Sequence, residues 1–345
     1  MTDPQTLLAD LVSIPSVSGD EAAAAERLAA YFEEHDREVW IDEVGNVRAP
    51  GDDSVLLTSH IDTVPGEIPV EIAPAEDGSG DALWGRGSVD ATGPLAAMAA
   101  AAVSTGASFV GVVREETDSL GARHLVETRE SVPDAVVNGE PSGSNGITLG
   151  YRGFLPGTYI ATSESGHTSR PENNALQDAI AWWSAVAEEF AVPEDTPVFE
   201  QVTAKPTAFH GGTTEDGLAV EATATIQFRI PPSLTADDIR EIAESHLHTG
   251  TITWRRHIPP VMMSPRTPIA RAFRVAIRKE SMKPRLLRKT GTSDMNIFAG
   301  EWDCPMVTYG PGNSDLDHAP NEHLPLAEFD RAVSVLESVC ENLQS

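Results

Sequence analysis

Five short stretches of this chain set imidazole and carboxylate groups where divalent cations could be held. SHIDTVPG places His60 and Asp62 two residues apart, and GRGSVDATGPLAA sets Asp90 in a glycine-bracketed turn. REETDSLGA supplies the adjacent pair Glu115 and Glu116, NGEPS supplies Glu140, and GNSDLDHAPNE supplies His318 near the end. Imidazole nitrogen and carboxylate oxygen both suit zinc, and a carboxylate can bridge two ions. Paired ions recur in hydrolases because together they activate water and clamp the oxygens of the reacting group. Each piece alone says little, since a lone histidine at a strand end is more often structural and adjacent glutamates are more often a solvated face. Their occurrence in one order, each in a stretch marked by Gly or Pro, gives them weight.

The elements that must position these groups can be read from hydrophobic periodicity. Residues 4–36 read as two helices, the second Ala-rich over 21–35 and capped by Asp20. Short apolar runs at 38–41, 55–59, 108–113 and 134–138 read as strands, and 93–104 and 119–128 as helices. This alternation predicts an α/β domain with a largely parallel sheet. His60, Glu115, Glu116 and Glu140 then fall just past strand carboxyl ends, where open α/β sheets place ligands. From about residue 152 the rhythm changes to strand 154–162, helix 174–190, strands 198–210 and 218–230, helix 236–246 and strand 251–255. That β-α-β-β-α-β order predicts a ferredoxin-like α+β unit. The α/β pattern resumes after Pro259-Pro260, with helices near 268–280 and 326–343. The expected organisation is a catalytic domain of residues 1–151 and 258–345, interrupted by an inserted lid at 152–257.

Charge narrows the partners. The 345 residues carry 53 Asp and Glu against 24 Lys and Arg, a formal charge of -29, and only Lys205, Lys279, Lys283 and Lys289 are lysines. Such a surface repels nucleic acid and anionic membrane, so neither is an expected partner. The acid excess and lysine poverty predict adaptation to concentrated salt; an acidic enzyme of an ordinary environment is the alternative. Cys304 and Cys340 show no CxxC spacing and predict neither a disulfide framework nor a thiolate zinc site. The start of the sequence lacks a basic segment and a long apolar run, so no signal peptide is expected, and no stretch approaches a membrane span. A cytoplasmic location is the resulting expectation.

Taken in order, the HxD, GRGxxDxxG, EE, EPS and HxPNE elements resemble the zinc metallopeptidase family of acetylornithine deacetylase, succinyl-diaminopimelate desuccinylase and carboxypeptidase G. The resemblance covers the whole chain. It implies two zinc ions per subunit, with cobalt or manganese as substitutes, and a homodimer formed through the lid. It further implies that Asp90 bridges both ions, that His60 and Glu140 complete one, and that Glu116 and His318 complete the other. Glu115 would be the general base and Asp62 would orient His60. By the likeness of SGHTSRPENNA to the family's lid motif, His167 would help hold the oxyanion from across the dimer; the plainer alternative is that it caps the following helix. Arg229 in FRIPP and the GTSD run, with Gly291, Thr292 and Asp294, match positions lining the substrate cleft of relatives.

The phrases EETDSLGARHL, GEPSGSNGITLGYRG and RKTGTSDMN resemble the subgroup that releases lysine or ornithine from an acidic amino-group carrier protein, LysW. TDS after the glutamate pair departs from that pattern by being more acidic. Residues 255–289 hold eleven Lys or Arg and a single acid, Glu280. An acidic carrier would be attracted there, unless these cations pair internally with the abundant acids. Two other readings stay open: a deacetylase or aminoacylase acting on a free small amide, and a non-catalytic zinc- or carrier-binding protein. Retention of Glu115 speaks against the last, because a binding module needs no base.

Overall fold

The computed structural model describes residues 1–75, 78 and 80–345. The chain forms two compact units. The first comprises Met1–Gly150, Met263–Arg288 and Ser293–Ser345; the second comprises Tyr151–Met262 and Lys289–Thr292.

The centre of the first unit is a run of parallel strands, Ala107–Val112, Asp52–His60, Val136–Gly139 and Met306–Thr308, in that lateral order. Ala107–Val112 and Val136–Gly139 are buried at every residue, which is why they read as continuous apolar runs rather than alternating ones. Antiparallel strands extend the sheet, with Val47–Ala49 beside Ala107–Val112 and Gly146–Tyr151 beside Met306–Thr308. The helix Thr92–Thr105 packs on Leu326–Leu343 and on the strand ending at His60. Being buried almost all round, it is built largely of Ala, and it stops at Gly106, whose φ of 75° only glycine adopts freely.

Some local details differ from the sequence reading. Asp20 does not cap the second helix, which begins at Ala22 behind Glu21 with no side-chain bond to its first turn. A small antiparallel sheet of Glu71–Pro74, Asp81–Trp84 and His323–Pro325 was not anticipated. Nor was the helix Asp294–Glu301, whose capping box is formed by Ser293 and Asn296.

The second unit is a four-stranded antiparallel sheet in the lateral order Thr203–Thr213, Ala219–Ile230, Gly153–Glu164, Thr251–Trp254. That order and the helices Ala175–Glu189 and Ala236–Ser245 give the split β-α-β arrangement. Ala219–Ile230 alternates between buried and less buried residues, as a strand covered on one face must. Its buried side chains meet Trp182, which stacks on Tyr159 at 4.5 Å and donates its indole N–H to the carbonyl of Ala243 at 2.9 Å. Among the described residues, no helix is long and apolar enough to cross a membrane.

Candidate metal centre

His60 ends the central strand with its side chain buried. Its Nδ1 lies 2.8 Å from the backbone carbonyl of Asp62 and 3.5 Å from Asp62 Oδ1. A proton on Nδ1 donates to that carbonyl and leaves the Nε2 lone pair for a ligand bond. Nε2 stands 3.3 Å from Asp90 Oδ1. The other Asp90 oxygen, Oδ2, is 3.2 Å from His318 Nε2, which also lies 3.0 Å from Glu116 Oε1. Asp90 therefore faces one histidine with each oxygen.

Glu140 follows Val136–Gly139 directly and joins the cluster from the next parallel strand. One ligand atom each from His60, Asp90 and Glu140 lie within 4.8 Å of one another, and so do atoms of Asp90, Glu116 and His318. Two three-donor groups sharing one carboxylate, all nitrogen and oxygen, fit divalent cations. A third grouping, Asp42, Glu43 and His124, is half-exposed and already satisfied, since Arg48 donates to Asp42 at 2.7 Å.

The protonation pattern of these residues without cations points the same way. Burial alone would push the His60 imidazolium down, but Asp62 and Asp90 override it and hold its pKa well above the ordinary range. Asp90 holds the pKa of His318 up at about 9, against the opposing effect of burial, with Glu116 adding to the rise. Burial, with the negative charges of Glu140 and Asp294, pushes Glu115 well above the ordinary carboxylate range, and burial also raises Glu116. Carboxyls whose pKa crowding and burial raise, beside histidines whose pKa neighbouring carboxylates raise, mark a place where positive charge is wanted.

The loop carrying Glu115 and Glu116 is tethered from behind. Asp62 Oδ1 accepts the N–H of Glu115 at 3.0 Å and Oδ2 that of Glu116 at 3.1 Å, while Ser18 donates to Oδ2 at 2.6 Å. Arg114 enters the loop in the left-handed region with a φ of 63°. The acidic departure at Asp118 is taken up locally, where it pairs with Arg114 at 2.7 Å. Glu115 contributes to neither donor group, although it feels the charges of Glu140 and His60.

The other expected site residues are placed separately. His167 lies exposed in the second unit, hydrogen-bonded to Ser169 at 2.8 Å. It does not cap the next helix; Asn174 does, in a capping box with Gln177. Arg229 lies over the Phe154 ring at 4.6 Å and donates to Thr292 at 3.3 Å. With Gly291, Arg152 and Lys205 it lines a cavity of about 300 Å³ within the second unit. Asp294 belongs to the first unit, where burial raises its pKa to about 6 against the lowering influence of Ser119.

Sequence reading gave no part to Glu322, which is fully buried. Its Oε1 accepts the N–H groups of Val89 and Asp90 at 2.9 and 3.0 Å, and Arg86 pairs with Oε2 at 2.7 Å. The signal was present in the PNE triplet after His318. Arg152 was also passed over; it donates to Thr203 Oγ1 at 2.7 Å and to the Thr290 carbonyl at 2.9 Å.

This sheet, with its donors at the carboxyl ends of neighbouring parallel strands, is the architecture of a metallohydrolase. The profile of Peptidase family M20/M25/M40 matches residues 56–342, and the chain belongs to that family. It is 40% identical to the [LysW]-lysine hydrolase of Deinococcus radiodurans, over 98% of this chain and 96% of that one. It is 31% identical to the [LysW]-lysine/[LysW]-ornithine hydrolase of Saccharolobus islandicus, over 94% and 91% of the two chains. Among solved structures, an M20 family metallo-carboxypeptidase from Sulfolobus solfataricus superposes with a TM-score of 0.78 at 18% identity, covering 99% of both chains. A dinuclear metal binding peptidase of the family from Bacillus subtilis superposes with a TM-score of 0.73 at 15% identity, over 99% and 98%.

Proposed function

We propose that this protein hydrolyses the amide that joins lysine or ornithine to an acidic amino-group carrier protein, as the names of its relatives state for them. The observation that carries the hydrolytic reading is the pair of donor groups sharing Asp90, with Glu115 beside them but outside both. His60, Asp90 and Glu140 would hold one divalent ion, and Asp90, Glu116 and His318 a second; zinc is the assignment, with cobalt a substitute. When bound, such a pair polarises the amide carbonyl and acidifies water.

The chain's own residues do the rest. Glu115 takes the proton of the attacking water on its carboxylate and delivers it to the leaving nitrogen, a role open to a carboxylate beside the donor groups but outside both. Asp62 fixes the loop that aims Glu115 and, through its carbonyl, the ring of His60. In the second unit, Arg229 and its neighbours offer cationic donors for a substrate carboxylate. His167 is assigned to the oxyanion across a homodimer formed through the second unit, whose exposed Ile160 and Ile180 support such a contact.

Two buried, free thiols, Cys304 and Cys340, agree with a reducing, cytoplasmic setting. Charge and lysine poverty support adaptation to high salt. The test is a substrate panel for the zinc- or cobalt-loaded enzyme, with lysine and ornithine linked to the carrier, N-acetylornithine, and a dipeptide. Faster turnover of the carrier-linked amides supports the reading. Equal or faster turnover of the free amides would replace it with the small-molecule deacetylase reading.

A further inference from the structure

The first unit carries a cationic face that the metal centre does not employ. The helix Pro268–Lys279 buries Ile269, Phe273 and Ile277 and exposes Arg271, Arg278 and Lys279, with Arg274 half-buried among them. Exposed Lys283 and Arg285 continue the run. The side-chain hydrogen bonds formed by these cations go to neutral groups. Arg274 donates to the carbonyls of Ala270 and Pro265 at 3.1 and 2.9 Å, and Arg278 to that of Arg274 at 3.3 Å. Lys279 donates to Ser338 at 3.0 Å, and Arg285 to Asn145 Oδ1 at 3.0 Å.

Several other arginines of the chain pair with acids, as in Arg27–Asp10 at 2.9 Å, Arg48–Asp42 at 2.7 Å and Arg86–Glu322 at 2.7 Å, while Arg37 and Arg229 donate to neutral groups. With 53 acids in the chain, none of these six cations forms an ion pair with a carboxylate among the described residues. Internal pairing therefore does not account for this run. One apolar side chain of the helix, Val275, stands about half exposed among these cations, at 49%. An apolar centre with a charged surround is the usual make-up of a protein-binding patch.

The face also adjoins the loops of the metal centre. A cavity of about 500 Å³ is lined on one side by Met282, Arg285 and Leu287. Its other walls include residues 142–145, which begin two positions after Glu140, and 313–315, which end three before His318, and they carry Asp315, Glu328 and Arg331, so the cationic character belongs to the helix and the turn after it rather than to this cavity.

We propose that this face is the docking surface for a small acidic protein, which is the amino-group carrier if the function proposed above holds; only the identity of the occupant rests on that reading. An acidic domain is repelled by most of a surface with a net charge of -29 and attracted here, which fixes encounter and orientation together. A neutral or basic partner would have no reason to select this face.

The test compares wild type with the triple variant Arg271→Glu/Arg278→Glu/Lys283→Glu and with a charge-preserving Arg271→Lys/Arg278→Lys/Lys283→Arg control. Melting temperature and metal content establish that all three are intact, and Arg278→Glu alone replaces the triple variant if that one does not fold. The probes are the purified acidic carrier, with and without amide-linked lysine, and N-acetylornithine. Reversal should weaken carrier binding and raise KM for the loaded carrier at least ~10-fold at 0.1 M salt, less at 1 M, where screening is stronger. It should leave the constants for N-acetylornithine unchanged, and the control should behave as wild type. Equal carrier affinity in the reversal variant and wild type would overturn the docking surface alone. Wild type that binds the carrier but does not cleave it would overturn the function and leave the surface standing. Wild type that does not bind it would overturn the docking proposal.

Discussion

The carboxylate of Asp62 accepts the backbone N–H of Glu115 at 3.0 Å, so the residue proposed as base is aimed by the residue that also faces His60. Replacing Asp62 by Ala frees the N–H groups of Glu115 and Glu116 together and leaves Ser18 without its acceptor. Turnover should fall by about 10- to 100-fold, the usual cost of losing a group that orients a metal ligand. Asp62→Asn should recover only part, because an amide offers one acceptor oxygen where the carboxylate uses two. Steady-state kinetics with metal content measured on the same samples decides it; wild-type kcat in Asp62→Ala would refute the aiming role.

The parts of this arrangement differ in how far sequence reveals them. His60 and Glu140 stand at the ends of short runs such as VLLTS and AVVN, whose burial on both faces writes itself into composition. The role of Glu322 depends on contact with residues 89 and 90, more than two hundred positions away, so the PNE triplet marks the residue but not what it holds. The strands Glu71–Pro74 and His323–Pro325 are short and flank Asp81–Trp84, the first as its neighbour in sequence and the second from the far end of the chain, so neither has a period to read. The strand Arg285–Lys289 is masked by its own cations, which read as solvated charge. Glu115 and Glu116 were visible as a pair, but their division of labour depends on which of them reaches the donor groups.

Glu115→Gln should separate binding from turnover. Gln keeps the size of the side chain but cannot take a proton, and Glu115 lies outside both donor groups. Metal content and carrier affinity should match wild type, while kcat falls by about 10²- to 10⁴-fold, the range expected for a general base. Retained turnover would remove the base assignment. Lost metal would make Glu115 a ligand instead.

Glu322→Ala should act on stability as well as on the site. It leaves the half-buried Arg86 without its carboxylate and strips the acceptor from the N–H groups of Val89 and Asp90. Breaking a buried ion pair from one side costs about 3–5 kcal/mol. Denaturant unfolding of the metal-free variant measures this cost, and a metal titration should show weaker uptake because Asp90 is no longer held. An unchanged unfolding midpoint would contradict the positioning role.

Uptake of divalent metal near pH 7.5 should release protons. In the metal-free protein His318 is held up at about 9 by Asp90, and His60 stands well above its ordinary value. The His318 ring is then charged at that pH, the upward shift of His60 favours its charged form too, and each ring must be neutral to bind a cation. The sign for stability follows from the raised values. The His318 contribution to the metal-free protein is fully present below its unfolded pKa of about 6.5 and is lost as pH rises through about 9. Calorimetry in two buffers of different ionisation enthalpy counts the protons released. The count should fall as pH passes 9 and be smaller in His318→Ala. A count of zero at pH 7.5 would contradict the charged-ring picture.

Salt should raise the melting temperature rather than leave it level. With a formal charge of -29, self-repulsion favours expansion of the chain, and raising the ionic strength from 0.1 to 1 M shortens its reach from ~10 to ~3 Å. Potassium chloride over that interval should lift the melting temperature by several degrees. Sucrose serves as the comparison because it strengthens burial without screening charge, and it should lift the melting temperature less than salt does. A variant with a cluster of exposed acids changed to Gln should begin higher and gain less from salt. If wild type and this variant respond alike, repulsion between the acids is not what salt relieves, and the inferred adaptation to concentrated salt loses its physical basis.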